Sequence, residues 1–153
     1  MEDSPIVHNL GNSGVSKVGK LILIVDDDEI TLEMICYTLE DEGYKVIKTT
    51  NARDAIELAE RNSSFLYVVL MDLVMPKNDG FMAIRTMKSR RTLRFIPIMA
   101  LTASSDRESV LKAFDAGADD YLTKPFDPDE LIFRVKALCR ITDFVRRWQA
   151  FAK

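Results

Sequence analysis

The chain has 153 residues, 47% hydrophobic content, 29% charged residues and a net charge of -3, which suits one globular domain with a tail and excludes a strongly basic nucleic-acid or membrane surface. No apolar run approaches the roughly 20 residues of a membrane span, and the N-terminus lacks a signal-peptide pattern. Cys36 and Cys139 lie far apart without metal-type spacing, so we expect buried thiols in a cytoplasmic protein.

Residues 1–19 are rich in Gly, Ser and Asn and show no periodicity. This composition predicts a flexible N-terminal leader. His8, the only histidine, lies in this leader. A catalytic or metal-binding role would need partner residues that the leader lacks, so we expect His8 to be solvated.

From residue 20 onward, short apolar runs alternate with segments of helical periodicity. Strands are predicted at residues 21–25, 44–49, 66–71, 96–101 and 119–122. Helices are predicted at 29–42 after Asp28, from 52 after the N-cap Asn51, around 81–87, at 105–116, and from Pro128 to the chain end after Asp127. Five such β-α units predict a flavodoxin-like, doubly wound (βα)5 parallel sheet with strand order 2-1-3-4-5.

Polar side chains follow four of these strands where each strand ends. Asp26 and Asp27 follow the first, Asp72 the third, Thr102 the fourth and Lys124 the fifth. Taken singly, each has an ordinary explanation, such as a strand-ending Asp that caps a turn or a solvated Lys. In a parallel sheet, however, all of them meet at one edge, where open α/β sheets bind ligands.

Carboxylates held together repel one another unless a cation or proton intervenes. Asp26, Asp27 and Asp72 would form an all-oxygen site that suits Mg²⁺. Lys124 would supply a point charge and Thr102 a hydroxyl donor for a phosphoryl group. Asp72 could itself attack phosphorus and become an aspartyl phosphate. The strand ends therefore predict magnesium-dependent phosphoryl chemistry.

Four motifs, in this order, give the chain a family resemblance. They read V-D-D-D, M-D-L-V-M-P-K-N-D-G, A-L-T-A and Y-L-T-K-P-F. Together they resemble the receiver domain of two-component response regulators over about residues 20–140. The resemblance implies a signalling switch that accepts a phosphoryl group from a sensor histidine kinase or a phosphotransfer protein. It does not imply an enzyme that acts on a separate substrate.

The resemblance also assigns roles to individual residues. It implies that Asp72 is the phosphoacceptor, that Asp27 binds Mg²⁺ directly and Asp26 largely through water, and that the Val74 carbonyl completes the metal shell. It further implies that Thr102 is the switch hydroxyl and that Lys124 pairs with the phosphate. Tyr121 would be the switch aromatic, and the Lys124-Pro125 peptide bond would be cis. Asp28 is expected to cap a helix, and Pro76 and Gly80 to shape a turn.

Two positions bear on the lifetime of the phosphate. Val74 lies two residues beyond Asp72, and Ser104 lies two residues beyond Thr102. Chemotaxis-type receivers carry polar residues at both places, which can orient an attacking water. Val74 has no hydrogen-bonding group and Ser104 is short, so we expect slow self-dephosphorylation.

Two other functions remain open. Asp26 and Asp28 form the D-x-D pattern of a small Mg²⁺-dependent phosphohydrolase such as the haloacid-dehalogenase-like enzymes. In this chain, though, the best nucleophile follows the third strand, and residue 30 is Ile where that family usually has Thr or Val. A receiver that binds partners without phosphorylation is the second alternative, and the complete Asp, Thr and Lys set argues against it.

The C-terminal segment leaves the output open. Residues 126–140 resemble receivers of the winged-helix transcription-factor class, which pair through the fourth helix, fifth strand and fifth helix, and Asp120 and Arg134 are candidate partners in such a homodimer. Val110 stands where that class usually has Lys. Residues 141–153 are expected to extend the last helix toward a partner or an effector, with folding back on the domain as the alternative. A seam for self-association is predicted at Leu138, Ile141, Val145, Trp148 and Ala152.

Overall fold

The computed structural model describes residues 19–76, 80–103 and 106–152. The predicted leader up to residue 18, with His8, lies outside these ranges, as do Asn78, Asp79 and Ser104. Among the helices within the described ranges, none combines the length and the apolar character that are needed to span a bilayer.

Strands and helices alternate along the described chain, as the sequence predicts. The elements are β1 (Leu21–Val25), α1 (Glu29–Asp41), β2 (Lys45–Thr49), α2 (Ala52–Arg61), β3 (Leu66–Asp72), α3 (Gly80–Ser89), β4 (Ile98–Thr102), α4 (Arg107–Ala116), β5 (Asp120–Thr123) and α5 (Pro128–Ala152). The strands form one sheet in the order β2-β1-β3-β4-β5, and every neighbouring pair is parallel. The predicted flavodoxin-like (βα)5 fold is confirmed.

Helix starts follow the predicted capping residues. The side chain of Asp28 accepts a hydrogen bond from the Thr31 N–H at the start of α1, and Asn51 accepts one from Asp54 at the start of α2. The Asp127 carboxylate likewise accepts from the Asp129 N–H at the first turn of α5. These contacts satisfy backbone donors that have no partner within the helix.

The sheet separates two apolar cores. Alternate residues of each strand point to opposite faces, so Leu23 and Val25 of β1 pack on one side, while Ile22 and Ile24 pack on the other. One face is covered by α2, α3 and α4, largely through small residues such as Ala55. The other face is covered by α1 and α5, whose buried residues include both free cysteines, Cys36 and Cys139.

The central strands are buried on both faces, which explains their nearly continuous apolar sequence. From Val68 to Met71, side chains of β3 are at most 1% exposed. A polar group can therefore enter this layer only at a strand end. This restriction places the candidate chemistry at the edges of the sheet.

Candidate functional site

Three adjacent strands bring the candidate side chains together at the carboxyl edge of the sheet. Asp26 and Asp27 follow β1, Asp72 ends β3, and Thr102 ends β4. Asp26, Asp72 and Thr102 are buried, whereas Asp27 is exposed. A backbone hydrogen bond of 2.7 Å from the Lys124 N–H to the Thr102 carbonyl brings the residue after β5 to the same edge.

The three carboxylates form a compact acidic cluster. Asp26, Asp27 and Asp72 each offer one oxygen, and these oxygens lie within 4.8 Å of one another. Carboxylate oxygen is the donor that Mg²⁺ prefers, and the exposure of Asp27 leaves room for the waters that Mg²⁺ retains. The donor set therefore fits the magnesium ion that the sequence predicts.

Lys124 supplies the positive charge at this edge. Its Nζ lies 2.8 Å from an Asp26 oxygen and 3.5 Å from an Asp72 oxygen. Burial of the ammonium group opposes its charge, but the hydrogen bond to Asp26 and the charges of Asp72 and Asp26 outweigh burial and raise the pKa of Lys124. Lys124 is therefore a permanent cation that already neutralises part of the acidic cluster.

Asp72 titrates far from its usual range. Burial of the carboxyl group, followed by the negative charge of Asp26, raises the pKa of Asp72 to about 7. Lys124 and the Val74 N–H, which donates to an Asp72 oxygen at 3.2 Å, act in the opposite direction. Added positive charge at this site would favour the ionised carboxylate, which is the form that can act as a nucleophile.

Gly80 has a structural role at this site. Its sequence context predicts only that it belongs to a turn. It begins α3, and a Cβ atom at this position would lie 2.3 Å from the Asp72 carbonyl oxygen. Only glycine allows α3 to start so close to the end of β3. The close approach fixes the backbone that carries Asp72.

The remaining candidate residues lie just after Asp72, on or just after β5, and on α5. The Val74 side chain is 63% exposed, two residues beyond Asp72. Tyr121 on β5 is partly buried and contacts the Phe114 ring edge-on, with ring centroids 6.0 Å apart. The Lys124-Pro125 peptide bond is cis. Asp120 accepts hydrogen bonds of 2.9 and 3.2 Å from Arg134 within the same chain, where the sequence suggested a contact between two chains.

A second polar cluster, which the sequence did not indicate, lies at the amino edge of the sheet. Buried Lys20 donates to Asp143 at 2.8 Å, and the Tyr67 hydroxyl donates to the same carboxylate at 3.1 Å. Arg146 donates to the Leu66 carbonyl at 2.8 Å and stacks over the Tyr67 ring. We call Lys20, Tyr67, Asp143 and Arg146 the amino-edge cluster.

Comparison with known proteins gives consistent matches over most of the chain. The profile of the response regulator receiver domain matches residues 22–136. The phosphate regulon transcriptional regulatory protein PhoB of Escherichia coli is 33% identical over 123 residues, which cover 80% of this chain and 53% of that protein. The DNA-binding dual master transcriptional regulator RpaA of Synechocystis is 38% identical over 122 residues, or 80% of this chain and 50% of RpaA. The chain spans about half the length of the curated relatives it matches.

The solved structures agree with these matches. The chemotaxis response regulator CheY4 of Vibrio cholerae superposes with a TM-score of 0.72 at 30% identity, covering 77% of this chain and 97% of CheY4. Nothing in the matches supports the phosphohydrolase alternative.

Proposed function

The chain belongs to the response regulator receiver domain family, and on that premise we propose that it is a phosphorylation-dependent signalling switch whose phosphoacceptor is Asp72. The observation that carries the proposal is the convergence of Asp26, Asp27 and Asp72 with Lys124 at one sheet edge. The phosphoryl donor is a sensor histidine kinase or a phosphotransfer protein. The chain catalyses only its own phosphoryl transfer and dephosphorylation.

The roles of the residues follow from their chemistry. An Asp72 carboxylate oxygen attacks phosphorus, and the bond from phosphorus to the phosphohistidine nitrogen breaks, leaving that electron pair on the imidazole. Asp26, Asp27, Asp72 and the Val74 carbonyl would hold Mg²⁺, with Asp26 acting largely through water, and the ion would supply positive charge for the phosphoryl oxygens. Lys124 moves its ammonium from the carboxylates to a phosphoryl oxygen.

The output is a change of surface. We propose that the Thr102 hydroxyl binds the new phosphoryl group and that Tyr121 turns inward into the space that Thr102 leaves. The surface formed by α4, β5 and α5 then changes its shape and charge, and a homodimer or another partner reads that change. With a net charge of -3, the chain itself is not proposed to bind nucleic acid.

The proposal is tested by chemical phosphorylation. The chain is incubated with acetyl phosphate and Mg²⁺, and intact mass is measured by mass spectrometry. We expect one added phosphate in the parent and none with Asp72→Asn or when Mg²⁺ is chelated. Asp28→Asn is the matched control, because Asp28 is an exposed carboxylate beside the cluster that caps α1, and Asn is an equally good cap. Equal labelling of Asp72→Asn and the parent would reject Asp72 as the phosphoacceptor.

A further inference from the structure

The solvent side of α5 carries a stripe of large apolar side chains. Ile141, Phe144, Trp148 and Phe151 are 47%, 65%, 62% and 84% exposed, respectively. Single exposed apolar residues are ordinary, but a contiguous stripe of this size marks an interaction surface. We call these four residues the α5 seam.

The structure changes which residues form this seam. Leu138, which the sequence placed in it, is buried in the core between α5 and the sheet. Val145 is partly buried, so it lies at the border of the seam. Phe144 and Phe151, by contrast, are exposed on the same stripe as Ile141 and Trp148.

The spacing of the seam indicates that its occupant is a helix. Its members are separated by three, four and three residues, which is the a and d pattern of a coiled coil. The same positions continue backward through Ala137, Arg134 and Glu130 to the first turn of α5. At these earlier positions, however, Arg134 and Glu130 are charged and bonded to each other, so the apolar seam occupies the second half of the 25-residue helix.

The residues beside the seam indicate which partner helix fits it and whether the two helices run parallel or antiparallel. We propose that the seam binds the same seam of a second copy of this chain, with the two α5 helices parallel. In that arrangement Arg140 and Arg147, at the g positions, lie against Val145 and Ala152, at the e positions of the other copy, and their aliphatic stems cover those side chains. An antiparallel pair would instead bring Arg140 of one copy against Arg147 of the other, with unfavourable repulsion.

The seam supplies a large part of the area that a stable dimer needs. A fully exposed Phe or Trp side chain can bury about 150–250 Å². Because Phe144, Trp148 and Phe151 are 65%, 62% and 84% exposed, those of two copies can contribute at most roughly 600–1,100 Å². Stable protein–protein interfaces bury about 1,200–2,000 Å². The additional area is available on α4 and the first half of α5, where Leu111 and Phe133 are also exposed.

The amino-edge cluster holds the seam in place. Asp143 and Arg146 lie on the opposite side of α5 from Phe144 and Trp148, and they bind Lys20, Tyr67 and the Leu66 carbonyl. Helical turns beyond residue 140 are thus fixed on the domain before any partner arrives. A preformed surface loses less conformational freedom on association than a flexible one. This inference does not depend on the phosphorylation chemistry proposed above.

Trp148 provides a direct readout because it is the only tryptophan of the chain. Sedimentation equilibrium and tryptophan emission are measured on the whole chain from low to high micromolar concentration. We expect a monomer–dimer equilibrium, a blue shift of emission and weaker quenching by iodide as the dimer forms. A monomer with an unchanged, solvent-exposed Trp148 over the whole range would overturn the proposal. So would a dimer in which Trp148 stays exposed, because its interface would lie elsewhere.

Paired substitutions separate the seam from the rest of the helix. Phe144→Lys should weaken dimerisation by roughly tenfold or more, because it places a charge at the centre of the interface. Ala150→Lys is the matched control, since it adds the same charge at an exposed position of α5 outside the seam. Equal dimerisation of both variants would contradict the proposal, provided that circular dichroism shows both to be folded.

The parallel orientation of the two α5 helices is tested with a substitution at the e position Ala152. Ala152→Glu would face Arg147 of the other copy only in a parallel pair, so we expect tighter dimerisation that salt weakens. No tightening at low salt would reject the parallel arrangement. A seam that instead binds a helix of another protein would leave the chain monomeric in every variant, which also rejects the proposal.

Discussion

At the scale of single residues, the Asp72 carboxyl group is held where its charge is unfavourable. Its folded-state pKa of about 7 exceeds the ordinary carboxyl value of 3.8 because of burial and the nearby Asp26. The folded chain therefore binds a proton at Asp72 more tightly than the unfolded chain does. This difference contributes stability that is fully present below about pH 4 and is lost as pH rises through about 7.

Asp72→Asn removes this titration and tests it. In the presence of a metal chelator at pH 8, we expect the free energy of unfolding of the variant to exceed that of the parent by on the order of 2–4 kcal/mol. This difference in free energy should shrink as pH falls toward 4. Urea unfolding across this pH range measures the gap. The difference between the two proteins is the relevant quantity, because other carboxylates, such as Asp28 with its lowered pKa, titrate in both. A gap that does not vary with pH would contradict the assignment.

We expect Val74 and Ser104 to influence how long a phosphate on Asp72 lasts. The exposed Val74 side chain cannot hydrogen-bond, although its backbone N–H donates to Asp72. Because Val74 has no hydrogen-bonding group and Ser104 is short, we expect no side chain to be well placed to take a proton from the attacking water, and a positioned base could provide a factor of roughly 10²–10⁴. We expect Val74→Asn combined with Ser104→Glu to shorten the lifetime, measured as phosphate loss after rapid removal of the donor in excess Mg²⁺. Val74→Leu should behave like the parent. Equal rates in the double variant and the parent would show that these positions do not set the rate.

The acidic site and the amino-edge cluster differ in how far sequence can predict them. Asp26, Asp72 and Lys124 each follow a recognisable strand, and parallel strands bring their ends to one edge by rule. No such rule brings Lys20 to Asp143, a pair separated by 123 positions and formed only where α5 crosses the start of β1. A lysine before a strand is ordinarily solvated, so nothing in its local sequence signals burial.

At the scale of elements, the helices show the limit of periodicity. In α1, Ile30, Met34, Ile35 and Leu39 have the spacing of one helical face. In the structure, however, Ile30 and Met34 are exposed, and Leu32 and Cys36 are buried instead. α5 repeats this pattern, with one apolar stripe in the core and another in solvent. Periodicity locates a helix, but when two stripes are apolar it does not tell which one faces the sheet.

The amino-edge cluster makes a prediction for the second half of α5. Burial opposes ionisation of Asp143, but its hydrogen bond and charge interaction with Lys20 outweigh burial and lower the pKa of Asp143. Asp143→Ala leaves the buried Lys20 ammonium unpaired, which should destabilise the chain by about 1–3 kcal/mol. We expect faster hydrogen exchange in residues 144–152, with residues of β3 protected as before. Adding Lys20→Met to this variant should recover part of the stability, because it removes the unpaired charge.

The stability that Asp143 contributes depends on pH in the opposite direction to the stability that Asp72 contributes. A lowered pKa means that the Asp143 contribution is present above about pH 4 and is lost as pH falls below it. In the parent, protection of residues 144–152 against hydrogen exchange should therefore decrease in acid. In Asp143→Ala, acid should cause no further decrease in this protection. Equal exchange in the parent and Asp143→Ala at neutral pH would show that the cluster does not hold the helix.

At the scale of the whole molecule, the two polar sites lie at opposite ends of the same strand. β3 begins at Leu66, whose carbonyl binds Arg146, and ends at Asp72. Seven residues of strand span roughly 20 Å, so no side chain can reach from one site to the other. Communication must pass through an element with two arrangements, and Tyr121 on β5 is the candidate between the acidic cluster and α5.

We therefore expect phosphorylation at Asp72 to be coupled to pairing through the α5 seam. The Tyr121 ring contacts the Phe114 ring of α4, and its proposed inward turn would expose more apolar surface of α4 to a second copy. We expect phosphorylation to tighten dimerisation by about 5–150-fold, the usual range for coupled sites, and dimerisation to favour phosphorylation to the same extent. Sedimentation with and without acetyl phosphate measures the factor, with Tyr121→Ala as the variant that should lose the coupling but keep the seam. Equal dissociation constants in both states of the parent would show that the seam pairs the chains independently of the switch.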